Sequence, residues 1–450
     1  MNSAPLVLHV PFGYFPSPVG GTEVYVAALC RELRGWGITS IIAAPGLEDS
    51  HYLHDATNVF RFAVSPSFAP FQGGGDPMAA KGFGKLLDQL KPQIVHFHAQ
   101  SPAVSVLALR EARQRGIATV YTYHTPTGSC HRGTLMRWGI QPCDGRLTAM
   151  RCAACQLHHL GVPKLVSQAL AMTSWATHSL ARWFPQKACW QIPLRASKLA
   201  DKRHRSIQEW WAGMDRIVAL CDWTERLLRF NGVPHPKVSK VRHGLTQEVS
   251  RPLLTKRHSQ IDGITKLVFL GRLDPNKGVH LLLDALDQAP GLEIQIDFYT
   301  LLESEPGPYV RELLDRLNRE PRTKVCQPAK ASEVISVLTH YDALLVPSQW
   351  METGPLVVLE AFASGIPVIG SHLGGIAEWV THERDGLLVS DNTADGWAKA
   401  MRRLVEEPGL LSHLASGVKP PRDMRAVAGE MMAVYQELMT EHNATRELPR

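Results

Sequence analysis

Short β-branched runs alternate with helix-length segments along the whole chain, and this alternation restricts the fold more than any other feature. The runs are Leu6–Val10, Ser40–Ala44, Ile94–His98, Thr119–His124 and Arg216–Leu220, then Leu267–Gly271, Ile294–Tyr299, Ala343–Pro347 and Pro367–Gly370. Strand, helix, strand repeated in this way predicts an α/β fold of parallel sheets covered by helices on both faces. A chain of 450 residues exceeds one ordinary core, so two large domains are expected. The polar stretch Leu245–Gly263, with Pro252 and several Lys/Arg, separates the two strand series. The expected domains are therefore 1–250 and 251–450, with the last helix able to pack back on the first.

In open parallel sheets, ligands bind beyond the carboxyl ends of the strands, where loops lead into helix N-termini. The loops to read are Pro11–Thr22, His124 onward, Gly271–Lys277 and Pro347–Gly354. About ninety residues separate His124 from the strand at Arg216, far more than an ordinary strand-to-helix connection. An insertion or subdomain over 125–210 follows. It holds four cysteines and an apolar, helical-looking segment, Leu165–Phe184. Gln168, His178 and Arg182 make that segment a poor membrane span, which leaves a core helix or an interfacial one.

The net charge of +6 hides an asymmetry: residues 1–250 carry 27 Lys/Arg against 15 Asp/Glu, and the rest 21 against 27. Between Cys130 and Arg205 twelve Lys/Arg face only Asp144 and Asp201. An anionic membrane surface is one partner such a patch would suit; a merely solvated basic face is the alternative. No nucleic-acid reading module accompanies it, so nucleic acid is not expected. Met1–Val10 lacks the features of a secretory signal, and a cytoplasmic protein, peripheral at the inner face of the membrane, is the expectation.

The strongest local signal is Val346-Pro-Ser-Gln-Trp-Met-Glu-Thr-Gly-Pro-Leu-Val-Val-Leu-Glu-Ala-Phe-Ala-Ser-Gly365. It reads as strand, loop and helix, with Thr353 or Gly354 at the cap, Pro355 at the first helical position and Gly365 as a left-handed stop. Free N–H groups over 355–358, with the helix dipole, would make an anion pocket beside Gly354, Pro355 and Leu356. A diphosphate suits it. Glu352 and Glu360 bracket the pocket, and ionised carboxylates suit vicinal hydroxyls: Glu352 on a sugar, Glu360 on a ribose. Arg272 and Lys277, at the end of the run Leu267–Gly271, could neutralise the same diphosphate. Gly20 and Gly21 follow the first strand and permit close backbone approach, without the spacing of a dinucleotide fingerprint.

Taken together these motifs resemble the retaining glycosyltransferases of family 4, whose GT-B architecture sets two Rossmann-like domains across a cleft. The resemblance rests on Gly20-Gly21, Asp215-Arg-Ile-Val-Ala, Val241-Arg-His-Gly244, Gly271-Arg-Leu with Lys277-Gly278, the Glu352 and Glu360 pair, and Gly374-Gly-Ile-Ala-Glu378. It covers nearly the whole chain except 125–210. It implies that Arg272 and Lys277 bind the donor diphosphate, Glu360 the ribose and Glu352 the transferred sugar, with His124 at the reaction centre. It also implies a nucleotide-diphosphate sugar as donor, a glycan or lipid-linked acceptor, retention of configuration and no metal or other cofactor for catalysis. Thr353-Gly354-Pro355 shifts the family's glycine by one, Thr300–Glu305 replaces a glycine turn, and His243 replaces an asparagine. A nucleotide-sugar epimerase on the same fold, or a catalytically silent nucleotide-sugar scaffold, is the alternative.

Cys130, Cys143, Cys152 and Cys155 follow the spacing Cys-x12-Cys-x8-Cys-x2-Cys. In a cytoplasmic chain this predicts one structural zinc, against ordinary cysteines, an iron–sulfur cluster or a redox pair.

Overall fold

The computed structural model describes residues 4–17, 20–66, 75–177, 192–247, 263–302 and 304–447. The chain forms two units, one of residues 1–242 with 424–450 and the other of residues 243–423. Of the stretch Leu245–Gly263, where the sequence places the domain break, 248–262 lie outside the described residues. Passage between the units falls between Arg242 and His243. Pro18, Cys189 and the end of Leu165–Phe184 also lie outside the described residues.

Unit 1 is built on an eight-stranded sheet. Its strands are β1 (Leu6–Val10), β2 (Thr39–Gly46), β3 (Ser50–His54), β4 (Thr57–Ala63), β5 (Ile94–Phe97) and β6 (Ala118–Tyr123), with two more after a long excursion. That excursion carries a small hairpin, β7 (Met136–Arg137) and β8 (Gln141–Pro142), and helices Ala149–His159, Lys164–Thr177 and Ile192–Gly213. The sheet resumes with β9 (Arg216–Ala219) and β10 (Val238–Lys240), in the spatial order β10-β9-β6-β5-β1-β2-β4-β3. All neighbours are parallel except β3 against β4. Central strands are apolar because both faces are covered: every residue of β5 and β6 is buried. Helix Gly21–Gly35 buries Tyr25, Val26, Leu29 and Leu33, one stripe at helical spacing. The closing helix Met424–Glu447 lies in this unit, adding Val427, Met431, Tyr435 and Leu438 to the same core.

Unit 2 carries six parallel strands, β11 (Thr265–Leu270), β12 (Ile294–Tyr299), β13 (Thr323–Cys326), β14 (Ala343–Val346), β15 (Val368–Ser371) and β16 (Gly386–Val389). Their order is β13-β12-β11-β14-β15-β16. From β11 the chain moves outward through β12 and β13, then returns to β14 on the other side. The two loops leaving β11 and β14 therefore flank the point where the winding reverses, the usual ligand position in such sheets.

Candidate functional site

Sequence signals converge on these two loops of unit 2. They are stitched together by backbone. The Gln349 N–H donates to the Asn276 carbonyl at 2.7 Å. Gly278 has φ +72, and a Cβ there would stand 1.9 Å from the Pro347 carbonyl oxygen, so only glycine allows this approach. A second clamp comes from helix Gly374–Trp379: the Gly375 N–H donates to the Glu352 carbonyl at 2.6 Å, and a Cβ on Gly375 would meet the Gly354 nitrogen at 2.7 Å. The Gly374-Gly375 pair thus fixes the loop that carries Glu352.

The result brings Lys277 and Glu352 into direct contact, Nζ to Oε1 at 2.9 Å. Ser348 Oγ also donates to that carboxylate oxygen, as does Trp350 Nε1 at 3.0 Å, and the Lys277 ammonium sits 5.7 Å from the Trp350 ring centroid. Glu352 is only 6% exposed. Burial opposes its ionised form, but Lys277, Ser348 and Trp350 outweigh that and hold the carboxyl below the usual glutamate range. Sequence reasoning gave Lys277 and Glu352 separate tasks and missed Ser348 and Trp350. Their signal was proximity in the same loop, four and two residues before Glu352.

Arg272 behaves differently. Its side chain is 78% exposed, with a loose ion pair to Asp274 at 3.5 Å. Glu360 lies on helix Leu356–Ala363, partly buried, and accepts from Gln247 Nε2 at 3.1 Å. Burial pushes its carboxyl up to about 7, only partly offset by Gln247.

The helix starts one residue later than the sequence suggests. Pro355, at φ −68 and ψ 124, is the cap rather than the first helical residue. The expected run of N–H donors over 355–358 needs correction too: proline has none, and the Val358 N–H already donates to the Pro355 carbonyl at 3.1 Å. Leu356 and Val357 are the leading donors of the helix. Gly354, at φ +150, packs against His243 and Trp379. Gly365, at φ +74, follows the helix as expected.

In unit 1, Gly20 caps helix Gly21–Gly35, and Glu23 reaches back so that its Oε2 accepts the Gly20 N–H at 2.8 Å. This carboxylate, to which the sequence assigns no role, takes the donor that a ligand phosphate would use. His124 is 7% exposed and sits one residue past β6. Its Nε2 lies 3.1 Å from His98 Nδ1, whose Nε2 is 3.1 Å from His9 Nδ1. His96, in register with His9, bonds Tyr435 Oη at 2.6 Å and Thr122 Oγ1 at 2.7 Å. Burial lowers the His9 imidazole to about 3, and burial with neighbouring histidine charges holds His96 and His98 well below their ordinary value. These rings stay neutral.

Cys130, Cys143, Cys152 and Cys155 all border one cavity of about 40 Å³ in the same unit. Among the described residues, the single trio with potential ligand atoms within 4.8 Å of one another is His9, His96 and His98, not a set of these sulfurs. The hydrogen bonds just described hold that histidine grouping, apart from His9 Nε2, which is buried without a partner.

Residues 254–419 match the family model "Glycosyl transferases group 1", and residues 19–167 match "Glycosyltransferase Family 4". The second match runs well into 125–210, so the likeness extends into the stretch that the motifs leave out. A D-inositol 3-phosphate glycosyltransferase of Corynebacterium glutamicum is 29% identical over 230 residues, 47% of this chain and 54% of the relative. The chain spans about half the length of the curated relatives it matches. Among solved structures, sucrose-phosphate synthase from Thermosynechococcus elongatus superposes with TM-score 0.65 at 17% identity, covering 97% of this chain and all of that one. The Anabaena protein HepE, in complex with UDP and glucose, does so with TM-score 0.60 at 17% identity, covering 96% and 99%. These likenesses show the fold.

Proposed function

Because the chain belongs to the group 1 and family 4 glycosyltransferases and has their GT-B fold, we propose that it transfers a sugar from a nucleotide-diphosphate sugar to a glycan or lipid-linked acceptor, with retention of configuration. The observation that carries this reading is the Lys277–Glu352 contact, held by glycine-mediated loop packing where the unit 2 winding reverses. A cation, a carboxylate and a helix N-terminus gathered in one loop pair suit a sugar diphosphate. The UDP and glucose in the Anabaena neighbour support the same donor class.

In the proposed step the bond between the anomeric carbon and the phosphate oxygen breaks. The acceptor oxygen bonds that carbon on the same face, and the acceptor proton passes to the departing diphosphate. Arg272, Lys277 and the leading N–H groups at Leu356 and Val357 offset the negative charge that develops on the diphosphate. Glu352 accepts from sugar hydroxyls and Glu360 from the ribose. This step asks for no metal. Roles for His124, Gly20 and Gly21 belong to the same proposal.

Glu360 provides the test. Glu360→Ala is expected to weaken donor binding by roughly 1.5–3 kcal/mol, about 10- to 150-fold, because the ribose loses a charged acceptor. Since its carboxyl titrates near 7, donor affinity of the unmodified protein should rise between pH 6 and 8. Glu360→Gln should abolish that rise. Calorimetric affinity that is unchanged in both variants would remove Glu360 from the donor site.

The helix Lys164–Thr177 exposes Leu165 (80%) and Met172 (63%) within the basic stretch. No helix among the described residues is long and apolar enough to cross a membrane. These exposed apolar side chains, on a helix opening at Lys164 within a stretch of net positive charge, support docking at an anionic membrane surface, where a lipid-linked acceptor would be reached. Sedimentation with anionic vesicles should exceed that with neutral ones; equal pelleting, or none, would count against it.

A further inference from the structure

We propose that Cys130, Cys143, Cys152 and Cys155 together hold one zinc ion that braces the loop following β6. Three separate pieces of backbone bring the four cysteines to the border of one cavity, where their sulfurs are still too far apart for any three to lie within 4.8 Å of one another. Cys130 follows the short turn Pro126–Gly128, only six residues past His124. Cys143 directly follows β8, its N–H donating to the Leu135 carbonyl at 2.8 Å across the hairpin. Cys152 and Cys155 lie three residues apart in the first two turns of helix Ala149–His159, a spacing that puts both on one face. The cavity they border, about 40 Å³, exceeds the space one water needs.

Backbone donors point at three of these sulfurs. The Trp138 N–H donates to Cys155 Sγ at 3.4 Å, and the Gly145 and Thr148 N–H groups donate to Cys143 and Cys152. Such donors orient the sulfurs, as partners beyond the ligands do in metal sites. Arg132, Arg137, Arg146 and Arg151 border the same cavity. A divalent zinc with four thiolates keeps two negative charges, and this arginine ring offsets them.

The local packing explains why a metal is useful there. The core of this subdomain consists of Trp138, Leu157 and five alanines, too little apolar surface to hold a hairpin and three helices firmly. Metal binding supplies the missing folding free energy as the thiol protons pass to solvent. Zinc–sulfur bonds of about 2.3 Å draw the four side chains inward around the cavity.

The test is metal content of the purified full chain, which does not depend on any transfer reaction. The expected result is about one zinc per chain, without iron or acid-labile sulfide. Titrating the thiols with a mercurial reagent should release that zinc as four sulfurs react. Cys152→Ser and Cys143→Ser should each drop the content at least tenfold, while Cys326→Ser in unit 2 keeps it. Less than about a tenth of a zinc per chain after zinc-supplemented growth would overturn the proposal. So would stoichiometric iron with sulfide, or equal zinc in the Cys152→Ser and Cys326→Ser proteins.

Discussion

Lys277→Ala is expected to lose both turnover and stability, whereas Arg272→Ala loses turnover alone. Glu352 is buried and its carboxylate oxygen is held by Lys277. Removing the ammonium leaves that carboxylate its neutral donors, Ser348 and Trp350 among them, without the lysine charge, a loss of up to about 3–5 kcal/mol, the range for a broken buried pair. Much of a typical stability of roughly 5–15 kcal/mol would then be gone. Pairing Lys277→Met with Glu352→Gln should recover part of the loss, because no unpaired charge remains. Arg272 projects into solvent with one loose partner, so its truncation should stay within about 0.5 kcal/mol of the original stability. Urea unfolding of the four proteins separates these cases. A Lys277→Ala protein with unchanged unfolding midpoint would mean the ion pair does not hold Glu352 in place.

Stability should also fall in mild acid, and the histidine cluster of unit 1 is a main contributor. His9, His96 and His98 are lowered in the folded chain, His9 to about 3, while an unfolded histidine titrates near 6.5. The folded state therefore binds fewer protons than the unfolded state below pH 6.5. Their contribution is intact above about 6.5 and is lost as pH falls toward the folded values. Each histidine costs about 1.4 kcal/mol per pH unit across that window, so three together cost about 4. Urea midpoints between pH 7.5 and 5 should show the fall, to which His131, His204 and His243, also lowered by burial, add, and His9→Leu should flatten it by less than a third. A midpoint independent of pH from 7 to 5 would show that these rings take up protons without unfolding.

Neither of these arrangements was legible in the sequence, and for the same reason. The runs forming β1, β5, β6, β11 and β14 stood out as apolar and β-branched, because both faces of a central parallel strand are covered. Which strands lie side by side does not follow from the runs. β1 lies between β2 and β5, so His9 and His96 meet in register, and His98 and His124 extend the row past the strand ends. Read singly, His9, His96 and His98 are ordinary histidines near strand ends, and the resemblance marks His124 alone. In the same way Lys277 and Glu352 meet because β11 neighbours β14.

The glycines carried more information than the charges. Gly278, Gly374 and Gly375 were recognised as motif members, and the structure shows what they do: each allows a backbone approach that a Cβ would block. The edge strands β3, β10, β13 and β16 escaped notice because they are short or half polar. Pro355 was misplaced by one residue because its fixed φ suits both a cap and a first helical turn.

The central claim, a nucleotide-sugar donor consumed by transfer, is tested most directly by calorimetric titration with UDP-, GDP- and ADP-sugars, followed by sugar analysis of the donor that binds. One-to-one saturable binding of one base class is expected, with the sugar unchanged until an acceptor is added and nucleoside diphosphate then released. No binding by any of the three classes would contradict the donor site, and interconversion of two sugars without acceptor would identify an epimerase instead.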